Sequence, residues 1–384
     1  MSRTPRSRLE IAALITTEQV LSDYTTLGLG GPAARFVQAE SQDELIAAVR
    51  EADRAAEPVL VLGGGSNLVV ADDGFPGLVV LAAAAGAELA RDGDLVRATV
   101  AAGQDWDDFV RQCAGAGLSG VECLSGIPGR AGATPIQNVN AYGQDVADTI
   151  VSVLVYDRLT DAVVPVAAAD CGFGYRTSVF KRQAGGGGRG ADLNPASATG
   201  RFVVLAVTFR LTASPLSAPI RYGELSRVLG VTDGGRVPLA DARAAVLELR
   251  RGKGMVLDPA DPDTRSAGSF FTNPVVGAAQ YADLAARQGA ASASAGLPHW
   301  PAPDGQVKLS AAWLIEHAGF SKGFALPGEE GGARISTKHA LALTNPGIGS
   351  TASLIRLARQ IRAGVAAEFG VELANEPVLV GVTL

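Results

Sequence analysis

Residues Pro58–Val70 read PVLVLGGGSNLVV. Apolar β-formers run into Gly63, Gly64 and Gly65, then Ser66 and Asn67, and apolar β-formers resume at Leu68. The pattern predicts strand, turn, strand. It fits a simple hairpin. It also fits a loop whose bare backbone amides approach an anionic ligand, with Ser66 and Asn67 adding donors. It is not a dinucleotide fingerprint of the GxGxxG kind, because Leu68 takes the last glycine's place and a strand follows instead of a helix; nor is it a Walker loop.

The same punctuation extends outward on both sides. FVQA, LVVADDGFPGLVVL, LVRATVAAG, VSVLVYD and RFVVLAVTFRL are short β-branched runs separated by glycine turns. Two helices interrupt them. SQDELIAAVREADRAAE has Ser41 as N-cap and Glu44 three residues later as a capping box. In QDWDDFVRQCAGAG, Trp106, Phe109, Val110 and Cys113 recur at helical spacing. This is an α+β series, assigned to a first domain over 20–213. The tract 183–200, QAGGGGRGADLNPASATG, cannot bury enough apolar surface to order itself and reads as a mobile surface loop within that domain. Turn residues SPLSA near Ser214 mark the expected start of a second domain, 214–384. Its helices are LADARAAVLELRRGKG, KLSAAWLIEHAGF and TASLIRLARQIRAGVAAEFG; Leu354, Leu357, Ile361 and Val365 form one face of the last.

Bulk properties remove several function classes. The chain has 384 residues, 47% hydrophobic and 19% charged, long enough for two or three domains. Its formal charge of -6 offers no basic field for nucleic acid or an anionic membrane. The apolar run from Leu78 is broken by Gly86 and Glu88, so no membrane span is expected. Cys113, Cys123 and Cys171 fit neither a disulfide framework nor a CxxC metal pair, which suits a reducing compartment, and the basic N-terminus lacks a signal-type apolar core. His299, His317 and His339 are too scattered for a metal site. The expectation is a cytoplasmic monomer that binds no metal.

Four further stretches carry candidate chemistry. LSGIPGRAGATPIQNVNAYG, residues Leu124–Gly143, holds Gly126, Gly129 and Gly132 with a Gln137-Asn138 pair; long loops in compact domains are usually functional. With Gly63–Asn67 it suggests a ligand with two phosphates or an extended ring system lying along backbone. CGFGYRTSVFK delivers Arg176 on a turn beside Tyr175, where it could grip a carboxylate bidentately or make a surface ion pair. SAGSFFTNP sets Ser269 between Gly268 and two phenylalanines, either as part of a tight turn into a strand or as a catalytic group. A GxSxG elbow and a triad companion are both missing, which disfavours a serine hydrolase, but an unactivated serine can still give a proton to a carbanion. VELANEPVLVG places Glu376 at the start of a strand, where an acid is most often an exposed edge residue.

In this order, TTLGLGGPA, VLGGGSNLVV, GIPGRAGATPIQN, GYRTSVFK and AGSFFTNP closely resemble the UDP-N-acetylenolpyruvoylglucosamine reductase family, from about Tyr24 to Gly381. The resemblance implies a two-lobed FAD-binding domain of the vanillyl-alcohol-oxidase (PCMH) type followed by an α+β substrate-binding domain, whose last strand returns Glu376 to the active site. It implies noncovalent FAD, cradled by Gly63, Gly64, Gly65, Ser66 and Asn67 and lined by Gly126, Gly129, Gly132, Gln137 and Asn138. NADPH is the implied hydride donor, and the implied substrate is a UDP-sugar enolpyruvyl ether in peptidoglycan precursor synthesis. Arg176 and Glu376 resemble the family's pair at the substrate carboxylate, and Ser269 its proton donor. Tyr175, Tyr222, Lys253, Asn273, Lys308 and His339 resemble substrate contacts. GMVLDP after Lys253 is two residues longer than the family's usual run, Asn140 stands where glycine is usual, and His339 where glutamine is frequent. An alcohol or sugar oxidase on the same scaffold is the main rival, and a sugar-nucleotide binding protein the other. Many such oxidases tether FAD through histidine, and none precedes His299; Cys123 beside the second loop leaves a thiol link formally open.

Overall fold

A computed structural model describes Thr16, Thr17 and residues 19–182, 197–291, 296–329 and 331–384. The chain forms two compact units, one running through Val20 with Pro32–Gly65 and Gly74–Val256, the other made of Leu21–Gly31, Ser66–Asp73 and Leu257–Leu384. Mixed helix and sheet run through both, as the α+β reading expects.

In the first unit, strands Ala33–Ala39, Phe75–Ala82 and Val59–Leu62 form a parallel sheet with Phe75–Ala82 in the middle. Helix Gln42–Arg54 joins two of them. Ser41 Oγ accepts from Glu44 N at 3.2 Å, while Glu44 Oε2 accepts from Glu40 N at 2.8 Å, so the helix start is capped from both sides. Leu45, Ala48, Val49 and Ala52 recur at helical spacing and bury against Val37, Val59, Leu78 and Val80. Parallel strands buried on both faces read as continuous apolar runs, and their C-terminal ends are where loops meet ligands. Gly63 follows such an end directly.

The larger sheet is antiparallel, in the order Ala162–Ala167, Ile150–Asp157, Phe202–Ala213, Leu95–Ala101, Ala87–Asp92, with Leu118–Ser119 also pairing to Phe202–Ala213. Helix Trp106–Gly115 lies on it. Trp106, Phe109 and Phe209 pack with ring centroids 5.5 to 5.8 Å apart, and the indole Nε1 donates to Leu124 O at 3.1 Å. That bond fastens the second glycine loop to the core.

Two expectations change. Most of the proposed mobile tract, residues 183–196, lies outside the described residues, but its end is ordered: Ser197 Oγ and Thr199 Oγ1 accept from Val59 N and Val61 N at 3.0 and 2.6 Å. These bonds occupy the outer edge of the parallel sheet, which needs partners for its amides. The packing also does not change near Ser214. Ile220, Leu225, Ala245 and Val246 bury against Cys123, and the Glu122 carboxylate accepts from Gly120 N at 2.7 Å and from Ala218 N. Residues 214–256, with helices Gly223–Leu229 and Leu239–Gly252, therefore belong to the first unit, and the SPLSA turn only reverses the chain: Leu216 N bonds Ser214 Oγ at 3.0 Å.

The second unit has two three-stranded antiparallel sheets, one with Ala342–Thr344 between Ser266–Ser269 and Arg334–Ile335, the other with Val307–Leu309 between Val275–Val276 and His299–Pro301. A third pairing is parallel, Leu68–Val70 with Val378–Val380. Helices Ala311–His317 and Thr351–Phe369 cover a core of Phe270, Phe271, Leu309, Leu314, Leu354, Leu357, Ile361 and Val365. The strands on either side of Gly63–Asn67 thus pair with different partners, which rules out the hairpin reading.

The early TTLGLGG segment is part of this second core, where Leu27 and Leu29 are buried. Asn345 holds it: Nδ2 donates to Leu27 O and Gly28 O at 3.1 and 3.3 Å, and Oδ1 accepts from Gly347 N and Gly349 N at 3.1 and 3.0 Å. Asn345→Ala leaves these groups unpaired in the interior and is expected to cost about 2 kcal/mol or more of stability. Equilibrium denaturation checks this, and an unchanged midpoint would show that the segment does not need the amide.

Candidate active site

The two glycine loops of the first unit meet backbone to backbone. A Cβ added at Gly64 would lie 2.6 Å from Gly129 Cα, well inside contact distance. The second loop is pinned at its start by charge. Asp107, in the first turn of helix Trp106–Gly115, accepts from Gly126 N at 2.6 Å and from both terminal nitrogens of Arg243 at 2.7 and 2.8 Å. Burial pushes the Asp107 carboxyl up, but the Arg243 fork and the Gly126 amide outweigh it and hold it below the usual carboxylate range. Deeper in the loop, Gly132 N is spent on Ala102 O at 2.9 Å. The side chains of Gln137 and Asn138 are also engaged within the protein: Gln137 Oε1 accepts from Lys181 Nζ at 3.3 Å, and Asn138 Nδ2 donates to Gly174 O at 3.3 Å.

Arg176 sits on a two-residue turn. Gly174 and Thr177 exchange backbone hydrogen bonds of 3.1 and 3.3 Å, with Tyr175 and Arg176 between them. Arg176 has φ +53°, a left-handed conformation rare for a non-glycine residue and frequent at functional sites. Its Cζ lies 6.0 Å from the Tyr175 ring centroid.

Tyr222 and Lys253 come together in the same unit. Tyr222 packs edge-on to Tyr142 with centroids 5.4 Å apart, and Lys253 Nζ lies 5.5 Å over the Tyr142 ring while pairing with Glu224 Oε2 at 2.6 Å. Burial pulls the Lys253 ammonium down, but the Glu224 hydrogen bond and nearby tyrosines leave it raised, so it stays charged. Arg250, one turn earlier, is buried against Gly126. Burial lowers its guanidinium to about 10, and its Nε has no partner among the described residues. Sequence reading missed Tyr142, Glu224, Asp107 and Arg250. Tyr142 stood inside the quoted loop, and the RRGKG run held Arg250.

In the second unit the SAGSFFTNP stretch is a strand with a defect. Ser266 pairs with Thr344 and Ser269 with Ala342, which leaves two residues, Ala267 and Gly268, opposite the single Leu343, so the strand carries a bulge, and Gly268 within it has φ +72°. Bulges re-aim side chains, and this one ends at Ser269. Phe270 and Phe271, both 1% exposed, anchor the strand beyond it. Glu376 N donates to Phe270 O at 2.8 Å, so the acid and the serine come from adjoining backbone. Glu376 is 9% exposed, so the exposed-edge reading does not hold. Asn67 meets the same place: its Nδ2 lies 3.5 Å from Glu376 O, and its carbonyl accepts from Val378 N at 2.9 Å. Ser66 precedes it in the turn.

Asn273 Oδ1 caps helix Ala311–His317 through Ala311 N at 3.0 Å. Lys308 Nζ is 5.9 Å from the Trp300 ring, and His339 N bonds Ser336 Oγ at 3.3 Å.

Cys123 bears on the mode of cofactor attachment. It is 3% exposed, and burial, with the neighbouring Glu122 charge, pushes its thiol up to about 12. A buried, protonated thiol is a poor nucleophile, so Cys123 lends no support to a covalent link. All flavin should therefore leave the acid-denatured protein, read as absorbance in the supernatant; colour retained in the precipitate would contradict noncovalent binding.

Comparison with known proteins bears on both units. The chain matches the profile of the C-terminal domain of UDP-N-acetylenolpyruvoylglucosamine reductase over residues 259–380 and that of an FAD binding domain over 33–163. It is 58% identical to the UDP-N-acetylenolpyruvoylglucosamine reductase of Thermobifida fusca, covering 95% of this chain and 97% of the relative. The corresponding protein of Salinispora arenicola is 54% identical across 100% of both chains. Among solved structures, the crystal structure of the reductase (MurB) from Thermus caldophilus aligns with 95% of this chain and 99% of its own, at 26% identity and a TM-score of 0.60. The chain belongs to the UDP-N-acetylenolpyruvoylglucosamine reductase family.

Proposed function

We propose that this chain uses FAD and NADPH to reduce the enolpyruvyl ether of UDP-N-acetylglucosamine to UDP-N-acetylmuramate, with Ser269, Arg176 and Glu376 dividing the chemistry. Flavin-dependent reduction of this UDP-sugar in peptidoglycan synthesis is the activity of the family. The observation that carries the residue assignment is the join of Ser269 and Glu376 through the Glu376 N to Phe270 O hydrogen bond. It brings the backbone that carries the serine against the backbone that carries the buried Glu376, next to two buried phenylalanines.

The first unit fits a dinucleotide. Gly64 presents side-chain-free backbone where a Cβ would not fit, Gly129 opposite it has φ +125°, and the buried Arg250 Nε beside Gly126 is an unspent donor. Gly63–Gly65 and Gly126–Gly129 would hold the pyrophosphate. When bound, FAD supplies a hydride carrier between NADPH and the vinyl group.

The chain's own residues handle charge and proton. Addition of hydride to the terminal vinyl carbon builds negative charge on the neighbouring carbon and its carboxylate. Arg176 meets that carboxylate with its fork, the planar geometry suited to it. Glu376 is assigned to the same carboxylate, where it shares the developing charge through a hydrogen bond. Ser269 Oγ gives its proton to the carbon, and solvent restores it. Tyr222, Lys253, Asn273 and Lys308 are assigned to the sugar nucleotide, whose diphosphate suits the charged Lys253. We place the reaction in the cytoplasm and the chain as a monomer; the three free, buried thiols support a reducing compartment.

Ser269→Ala is expected to leave flavin reduction by NADPH intact and to slow reoxidation by substrate about 10²- to 10⁴-fold. Anaerobic stopped-flow absorbance separates the two, and equal loss of both half-reactions would contradict the proton-donor role. Gly64→Ala forces the loops apart and should weaken FAD binding about tenfold or more. Titration of the apoprotein with FAD, followed by flavin fluorescence, reads this; unchanged affinity would remove the cofactor from these loops.

A further inference from the structure

A two-residue turn holds a functional side chain poorly unless something outside the turn fixes it. Here three successive residues at the end of the second glycine loop are each bonded to the stretch that carries Arg176. Ile136 O accepts from Ser178 Oγ at 2.6 Å, Gln137 Oε1 from Lys181 Nζ at 3.3 Å, and Asn138 Nδ2 donates to Gly174 O at 3.3 Å. Gly174 O is the carbonyl that also closes the turn through Thr177 N.

Asn138 is shaped for this task. It is 3% exposed and has φ +47°, which asparagine tolerates better than most residues. Its Oδ1 accepts from Ala147 N at 3.1 Å while its Nδ2 reaches Gly174 O, so both ends of the amide are engaged by the protein. Ser178 is fully buried, and its Oγ accepts from Lys181 N at 3.3 Å while donating to Ile136 O.

We infer that Asn138 and Ser178 are positioning residues for Arg176. They fasten its turn to the Gly126–Asn138 loop, so the loop that receives the cofactor also sets where the guanidinium stands. Asn138 then serves the reaction through Gly174 and not as a side-chain contact to the flavin. The inference rests on the reading of Arg176 as the group at the substrate carboxylate.

The test uses FAD-loaded Asn138→Asp, Ser178→Ala, Ser178→Thr and Arg176→Lys proteins in anaerobic stopped-flow, with FAD retention after gel filtration measured alongside. Asn138→Asp keeps an acceptor for Ala147 N but loses the donor to Gly174 O; Ser178→Thr keeps the hydroxyl. In Asn138→Asp and Ser178→Ala, reduction by NADPH should stay within about threefold of the parent, while reoxidation by the enolpyruvyl substrate slows about 10- to 100-fold, as for a misplaced reacting group. Ser178→Thr should recover most of that rate. If Arg176→Lys slows reoxidation but neither Asn138→Asp nor Ser178→Ala does, the positioning role is wrong and the reading of Arg176 stands. If Arg176→Lys leaves reoxidation unchanged, that reading falls and the inference with it. A parallel fall of both half-reactions in both variants would show that these bonds only hold the fold. Should Asn138→Asp lose its FAD, the contrast between Ser178→Ala and Ser178→Thr decides.

Discussion

The close approach of Gly64 to Gly129 is the constraint on which the first unit depends. Gly64 has no room for a side chain at the contact and Gly129 takes a φ of +125° there, and each loop leaves a different part of the fold: one follows the parallel strand Val59–Leu62, the other hangs from helix Trp106–Gly115. Two loops held in backbone contact can present amides to one ligand from two directions. An elongated, doubly charged cofactor demands this, and a single glycine turn cannot supply it.

Holding such loops in place falls to charged groups that are partly or wholly withdrawn from water. Asp107 joins Gly126 to Arg243, and Glu122 joins Gly120 to Ala218. Arg158, with its side chain fully buried, bonds Asp53 and the carbonyl of Gly200 at 3.0 Å, tying the two sheets' connections together. A buried ion pair is weak evidence for stability, because desolvation offsets much of its attraction. Its value here is geometric: a fork or a carboxylate with several fixed partners admits few alternative loop positions.

The second unit solves a different problem with a strand defect. Ser269 and Glu376 are far apart in sequence, and the bulge at Gly268 with the neighbouring Phe270 carbonyl brings their backbones together. The apolar pair Phe270 and Phe271 is what makes this stiff, since both rings lie in the core that helices Ala311–His317 and Thr351–Phe369 cover.

Much of the fold was legible in local patterns. Helices Gln42–Arg54 and Thr351–Phe369 announce themselves by caps and apolar spacing, and the long antiparallel strands by β-branched runs, because those signals lie within a few residues of one another. Ser269, Arg176, Glu376 and the glycine loops stood out as candidates by residue type, though their roles came only through the ordered motifs. Three matters needed tertiary structure. Residues 214–256 fold onto the first unit because Cys123 offers their apolar face a partner more than ninety positions away in the chain, which no turn signal encodes. Helix Ala278–Ala291 went unread because an alanine-rich stretch has little periodic contrast. Above all, the amino-acid order marks Asn138 only as polar and next to a glycine loop. Its binding of the Arg176 turn depends on which carbonyl stands opposite its amide, and that is fixed only when two distant segments pack.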